Sequence, residues 1–438
     1  MMKFANSILV LFLLLLLCFL AEAILNYSVH SYSAVSIFLY YILPTLFIVI
    51  LIFCLRSNKE YKINIAISLA SIGICLLVID IFFWVSLNNV PSYEELSKKK
   101  NITFDSRTVL EVVESFKKKN IVANPAVFPA LFVKQNNMEI YPLSGVSNSL
   151  TVYSNETGEY TIYNSDRYGF HNTGKDIWNS GVSEIGAVGD SFLHGSGVPT
   201  EKNITSTISR EYKKTINLGL AGSGPLIELA ILKEYMSQLR PKTVLWFYFE
   251  ANDLIELRKE VRNPVLMRYL KGDYRQNLMD KQSDVNQVWK KYIEKQKFIK
   301  QEPNKLIEIA GFVKNSLKLS NLRLAINANL NHFVSENTFT HFQQVISEAK
   351  GTAKSWGGEL YFVYLPSFQR YKYNEDFHRS KIIEIVERQK VPIIDIYEEF
   401  GSVENPLKYF PYEEVTAHYN KLGYKTVAQK VIEHLQAN

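Results

Sequence analysis

The chain has 438 residues and carries 49 Lys and Arg against 43 Asp and Glu, a formal net charge of +6. This charge is modest for the length and forms no dense basic stripe with interleaved aromatics, so the sequence argues against nucleic-acid binding. All three cysteines, Cys18, Cys54 and Cys75, lie in apolar runs near the N-terminus. The rest of the chain has no thiol, which excludes disulfide scaffolds, thiol catalysis and cysteine metal sites there.

Three apolar runs are predicted to cross a membrane. They cover residues 8–25, 35–55 and 63–87, and each is long enough to span a hydrocarbon core of about 30 Å as a helix. The alternative for the first run is a cleaved signal peptide, because Lys3 precedes it and Ala21-Glu22-Ala23 resembles a cleavage site. The sequence thus predicts a three-span anchor over residues 1–90, with the lipid bilayer as a partner.

Basic residues beside these runs predict the orientation. The loop 26–34 has no Lys or Arg, whereas Arg56, Lys59 and Lys62 follow the second run and are expected in the cytoplasm. Residues after the third run are then expected outside, although the lysines at 98–100 count against export of that end. We therefore expect a multi-pass protein of the bacterial cytoplasmic (inner) membrane with an extracytoplasmic, periplasmic C-terminal domain.

Residues 91–182 are predicted to form a lead-in segment. Apolar residues at helical spacing predict a helix over 106–119. Two β-rich stretches, 150–153 and 160–163, flank the polar segment 155–159 and predict a hairpin. Residues 166–172 are interpreted as a structural turn without a chemical role.

An α/β domain is predicted over residues 183–438. Its strand candidates are short apolar runs at 185–188, 215–218, 243–248, 360–364 and 391–396. Such runs alternating with helices predict a parallel sheet covered on both faces. Between about 255 and 335 the sequence is long, charged and helical, which we interpret as an insertion of solvated helices; the alternative is a lid or a docking surface for a large substrate.

Polar residues follow several of the predicted strands. Gly189-Asp190-Ser191 directly follows the first, the glycine-rich loop 217–225 follows the second, and Asn252 follows the third. His418 lies much later, before a predicted closing helix. A hydroxyl nucleophile and a distant histidine base, meeting at the carboxyl ends of parallel strands, are typical of acyl-transfer chemistry.

In these four segments the chain resembles the SGNH hydrolases, also called the GDSL family, over about residues 183–438. The resemblance implies a flavodoxin-like three-layer parallel sheet. It also implies that Ser191 is the nucleophile, that Gly222 and Asn252 are oxyanion-hole donors, and that His418 is the base. Members of this family include esterases, lipases and enzymes that add or remove acetyl groups on polysaccharides.

The chain departs from the family in the last segment. Family members usually have an Asp two or three residues before the histidine, whereas Thr416 and Val415 stand there in this chain. An orienting carboxylate fixes the histidine tautomer and stabilises the imidazolium. Glu414 is the predicted replacement, with Glu413, a backbone carbonyl or no partner at all as the alternatives.

The sequence therefore predicts a membrane-tethered, extracytoplasmic serine esterase or O-acyl(acetyl)transferase that acts on a surface glycan or glycolipid. One alternative is a lipid-directed esterase, and the other is a non-catalytic glycan-binding or assembly protein that has lost the triad acid. No cofactor and no metal are expected. His171 and His194 are interpreted as loop or surface histidines without a catalytic role.

Overall fold

The computed structural model describes residues 2–25, 37–172, 177–179, 181, 183–299, 315–316, 319–322 and 334–437. The chain divides into two compact units. The helical unit comprises Met1–Asn89 and Asn304–Ala328, and the α/β unit comprises Val90–Pro303 and Asn329–Asn438. The predicted domain boundaries at 90/91 and 182/183 stay predictions.

Two helices of the helical unit, Met2–Leu25 and Lys59–Leu87, are long and apolar enough to cross a membrane. They contain the first and third predicted spans. Among the described residues, two such helices are thus found where the sequence predicted three spans, and the described part of the second run contains the shorter apolar helix Tyr40–Arg56.

Hydrogen bonds within the helical unit involve one buried acid. The Asp80 side chain is fully buried. Its carboxylate accepts hydrogen bonds from the backbone N–H groups of Asn321 and Leu322 and from the Asn321 side chain, each at 2.9 Å. The part of the insertion at 319–322 is thus bonded to the apolar helix of residues 59–87.

Eight strands, all in the α/β unit, form two sheets among the described residues. Their bounds are β1 Ala123–Pro125, β2 Leu150–Val152, β3 Ile162–Asn164, β4 Ile185–Val188, β5 Thr215–Asn217, β6 Thr243–Phe249, β7 Glu359–Leu365 and β8 Ile393–Asp395. The small sheet has the order β1-β2-β3, and its β2 and β3 pair antiparallel, which confirms the predicted hairpin. The large sheet is parallel throughout with the order β5-β4-β6-β7-β8. This is the flavodoxin-like order, and it confirms the predicted parallel sheet.

Helices cover both faces of the large sheet, giving three layers. Alternate residues of β6 explain this arrangement: Val244, Trp246 and Tyr248 belong to one buried core, and the residues between them belong to a second core on the opposite face. The α-helices of the unit are Tyr93–Lys99, Val109–Lys117, Ser191–His194, Ile204–Ile208, Pro225–Ile231, Ser237–Leu239, Asp253–Glu260, Pro264–Met267, Gln282–Ile299, Glu336–Ser355, Phe368–Tyr373, Arg379–Arg388, Ile396–Gly401 and Lys421–Ala437.

The helix Gln282–Ile299 of the insertion is not solvated on all sides, contrary to the interpretation from its charges. It buries Val285, Trp289 and Ile293, which are spaced four residues apart and therefore share one face. The Trp289 indole also donates a hydrogen bond of 2.7 Å to the Ser144 carbonyl in the lead-in. This helix contributes to the core of the α/β unit.

A buried turn joins the lead-in to the large sheet. The Asp166 carboxylate accepts hydrogen bonds from the N–H groups of Tyr168 and Phe170 and from the side chains of Asn172 and Trp178, at 2.7–3.0 Å. Asn172 in turn exchanges two hydrogen bonds with the backbone of Asn217 in β5. The segment 166–172 is therefore a structural turn, as its sequence predicted.

We expect Asp166→Ala to lower the free energy of unfolding of the chain by about 3 kcal/mol, because buried donors lose their acceptor. Chemical denaturation of the full-length protein measures this change. The control is Asp273→Ala at an exposed loop position, which we expect to change the free energy of unfolding by less than about 0.5 kcal/mol. Equal effects of the two substitutions would contradict the assigned role of Asp166.

Candidate active site

The candidate nucleophile lies on a sharp turn at the carboxyl end of β4. Gly189 is required there because an added Cβ would lie 2.9 Å from the Cβ of Phe247. Asp190 then caps the short helix that begins at Ser191, since its carboxylate accepts a 2.9 Å hydrogen bond from the Phe192 N–H. The turn holds Ser191 in a site where it is only 8% exposed.

The His418 imidazole connects Ser191 to a carboxylate. Its Nε2 is 2.6 Å from the Ser191 Oγ, and its Nδ1 is 2.6 Å from the Glu156 Oε1. The backbone N–H of His418 also donates a 2.9 Å hydrogen bond to the other carboxylate oxygen of Glu156. When Nδ1 carries the proton and its N–H donates a hydrogen bond to Glu156, the Nε2 lone pair is directed at the serine hydroxyl.

Glu156 comes from the loop between β2 and β3, 262 residues away from His418 in sequence. Several hydrogen bonds fix this loop: the Asn155 side chain accepts from the Gly158 N–H and donates to the Asp105 carbonyl, each at 2.9 Å. The Ser196 hydroxyl also donates to Glu156, at 3.4 Å. The loop thus delivers a carboxylate from the lead-in to the carboxyl end of the large sheet.

The prediction that Glu414 orients His418 is corrected by this geometry. Glu414 is exposed, and its carboxylate lies 3.9 Å from the Lys99 ammonium. The first alternative, Glu413, instead accepts a 3.0 Å hydrogen bond from the Asn405 side chain. Neither side chain is needed at Nδ1, because Glu156 fills that position.

Charge and burial set the protonation of the pair. Burial raises the pKa of Glu156, whereas the charge of His418 and the hydrogen bonds from its ring and backbone lower it. The lowering effects together are larger than the effect of burial, so the pKa of Glu156 lies below its ordinary value. Burial likewise lowers the pKa of His418, but the charge and hydrogen bond of Glu156, with a contribution from Asp190, bring it above its ordinary value. The site therefore favours an ionised carboxylate beside a histidine that accepts a proton readily.

The two predicted oxyanion donors lie on loops attached to the nucleophile turn. The Asn252 side-chain N–H donates to Asp190 Oδ2 at 3.3 Å, and the Ser191 Oγ is 3.4 Å from the same oxygen. The loop of Gly222 is bonded to the turn through the Leu220 N–H and the Gly189 carbonyl, at 3.1 Å. Gly222 itself has a φ of +71°, which favours glycine. Among the described residues, none accepts a hydrogen bond from the backbone N–H of Ser191 or of Gly222, so both groups can donate to a ligand.

Asp190 is the buried acid behind these groups. Its side chain has no exposed surface. Burial raises its pKa, partly opposed by the Phe192 N–H. Since its carboxylate bonds both the helix start and Asn252, Asp190 positions the nucleophile turn relative to a predicted oxyanion donor.

His171 and His194 are not surface residues, which corrects that part of their interpretation. Both are almost fully buried, and burial lowers both pKa values, that of His171 to about 4. His194 contacts the Tyr163 hydroxyl at 2.8 Å and accepts from the Ala221 N–H at 3.3 Å. They are neutral packing residues between the small sheet and the Gly222 loop.

No protein-family model matches the chain, and no curated protein does. Similar solved structures include a lipase/acylhydrolase from Enterococcus faecalis (12% identity, TM-score 0.33, 58% of this chain and 96% of that one). They also include a putative lipolytic protein of the G-D-S-L family from Desulfitobacterium hafniense (12%, 0.29, 57% and 97%) and an acetyl xylan esterase (11%, 0.31, 57% and 99%). The family that the sequence motifs indicate is thus represented among them.

We expect Glu156→Gln to lower the pKa of His418, because the substitution removes the negative charge that raises it. Titration of the histidine ring by NMR in the full-length protein measures this directly and needs no substrate. Glu414→Gln is the matched control and is expected to leave the His418 pKa unchanged, since exposed charges are screened. The reverse pattern would restore Glu414 as the orienting group.

Proposed function

We propose that the chain is a serine esterase of the SGNH type that uses a Ser191-His418-Glu156 triad. The observation that carries the proposal is the pair of 2.6 Å contacts that the His418 ring makes with the serine hydroxyl and the carboxylate. A nucleophile, a base and an orienting acid in one hydrogen-bonded series is the arrangement that activates serine for attack on an ester.

The first half of the proposed reaction forms an acyl-enzyme. His418 Nε2 takes the proton of the Ser191 hydroxyl as Ser191 Oγ attacks the carbonyl carbon of the ester. The π electrons of the carbonyl bond move to the carbonyl oxygen. The N–H groups of Ser191 and Gly222 and the amide of Asn252 stabilise that oxyanion. Collapse of the intermediate breaks the bond to the alcohol, which leaves with the proton held by His418.

The second half transfers the acyl group to an acceptor. His418 takes a proton from water or from a sugar hydroxyl, whose oxygen attacks the acyl carbon. The intermediate then releases Ser191, which recovers its proton from His418. Water as acceptor makes the protein a hydrolase, and a sugar hydroxyl makes it an acyltransferase.

We further propose that the protein is tethered to a membrane and acts outside the cytoplasm on acetyl groups of a surface glycan or glycolipid. The two long apolar helices and the basic residues Arg56, Lys59 and Lys62 support the tether and its orientation. The resemblance to a family with polysaccharide-acetylating and deacetylating members supports the substrate class. The non-catalytic alternative rested on a missing acid, and Glu156 removes that reason for it.

Ser191→Ala is expected to abolish turnover of a chromogenic acetyl ester and of acetylated xylan, lowering kcat by at least about 10³-fold, because the nucleophile is lost. The assay uses the full-length protein in detergent, with acetate release as the readout. Labelling of the wild type, but not of Ser191→Ala, by a serine-reactive phosphonate provides the independent check. A wild-type protein that releases no acetate from these esters and is not labelled by the phosphonate would contradict the proposed esterase activity.

For Asn252→Ala we expect kcat to fall by about 10²-fold to 10³-fold with little change in KM, because this amide binds charge that develops only in the transition state. Asn137→Ala, at an exposed loop position, is the control and should retain wild-type kcat. A loss expressed in KM alone would assign Asn252 to ground-state binding.

A further inference from the structure

One segment of the chain, residues 92–105, contacts both the His418 loop and the Glu156 loop. We call it the positioning segment. It begins four residues after the helix Lys59–Asn88 ends, and it contains the helix Tyr93–Lys99. The sequence motifs and the family resemblance, which begins at about residue 183, predict no role for this segment.

The helix of the positioning segment has a well-defined start. The Ser92 hydroxyl accepts from the Glu95 N–H at 3.2 Å, and the Glu95 carboxylate accepts from the Ser92 N–H at 2.8 Å. This reciprocal capping box stabilises the first turn. The helix is thus held in shape by its own residues.

This helix holds the chain that leads into His418. The Tyr93 hydroxyl donates a 3.0 Å hydrogen bond to the carbonyl of Thr416, two residues before His418. Further along, the Ser97 hydroxyl lies 2.5 Å from the Tyr412 hydroxyl, and the Lys100 ammonium donates to the Tyr412 carbonyl at 2.6 Å. Three polar contacts therefore join two turns of helix to the residues just before the base.

Backbone strain in the His418 loop shows why such contacts are needed. Tyr412 and Glu413 have φ values of +61° and +62°, in the left-handed region that side chains other than glycine disfavour. Such conformations persist where the surroundings impose them. Tyr412 is buried against Leu96 of the helix, and its ring lies 6.2 Å from that of Tyr93 in a stacked arrangement.

The other end of the positioning segment holds the Glu156 loop. The Asp105 N–H donates to the Gly158 carbonyl, and the Asp105 carbonyl accepts from the Asn155 side chain, both at 2.9 Å. Gly158 packs so closely that an added Cβ would lie 2.3 Å from the Thr103 carbonyl oxygen. Glu156 therefore lies between two residues that are fixed by the same segment.

We propose that residues 92–105 set the relative position of Glu156 and His418, and that Tyr93 is a positioning residue for the base. The proposal rests on the esterase function proposed above. The first segment of the α/β unit is then also the element that aligns the acid with the base.

The test is Tyr93→Phe in the full-length protein, which removes one hydroxyl and keeps the ring. We expect kcat to fall by about 10-fold at unchanged KM, since a small misplacement of a catalytic group is costly. The His418 pKa, measured by NMR titration, should fall as the contact with Glu156 loosens. Tyr361→Phe is the matched control, because the Tyr361 hydroxyl donates to Glu359 at the amino end of β7, whereas the site lies at the carboxyl end of the sheet. This variant should keep the wild-type kcat and His418 pKa.

Ser97→Ala provides a second variant that removes a different contact of the same helix, and it should move kcat and the His418 pKa in the same direction. A lower melting temperature with an unchanged His418 pKa in both variants would reduce the segment to a structural role and overturn the proposal. The pKa readout needs no turnover, so it decides the proposal even if the wild type proves inactive on esters, an outcome that would count against the proposed function alone.

Discussion

The short hydrogen bond between His418 Nδ1 and Glu156 controls the chemistry available to this site. Removing an imidazole from water disfavours its protonated form, so a histidine with no partner there would be a weak base with no fixed tautomer. The carboxylate reverses the first effect by its charge and fixes the tautomer by accepting a hydrogen bond from the Nδ1 N–H. The other active-site contacts, from the nucleophile turn to the loop of Gly222, are useful only when Nε2 presents its lone pair to Ser191.

This dependence makes the lead-in part of the proposed active site. The proposed acid is on a loop of the small sheet, whereas Ser191 follows a strand of the large sheet and His418 lies just before the last helix. The two sheets must therefore keep a fixed register relative to each other for Glu156 to reach His418. The buried Asp166 turn and the Asn172–Asn217 exchange provide that register, as do the packed histidines His171 and His194. A polar, directional interface suits this purpose better than apolar packing alone, because hydrogen bonds fix angles as well as distances.

Local sequence patterns predicted the parts of the structure that local physics determines. The five strands of the parallel sheet are short apolar runs, and Ser191 and Asn252 follow the ends of two of them, whereas His418 lies just before the last helix. The role of Glu156 could not be predicted from the sequence, because its partner His418 is 262 residues away. The same turn also contains Glu159, and no local pattern distinguishes the two glutamates. The burial of the helix Gln282–Ile299 was also not predicted, because its many charged residues obscure the apolar face that contains Trp289. For the second apolar run, composition indicated a span but could not give the length of its helix.

Moving the acid from the base's own loop to another part of the chain has a physical consequence. When an acid precedes its histidine by two or three residues, the pair is aligned by one short loop and survives small shifts of the surrounding structure. Here the alignment is a tertiary contact, so its strength depends on every element that holds Glu156 and His418 in place. The loop of His418 is strained at Tyr412 and Glu413 and gains its shape from outside. Alignment of the proposed acid and base is consequently a property of several elements of the α/β unit, the lead-in among them.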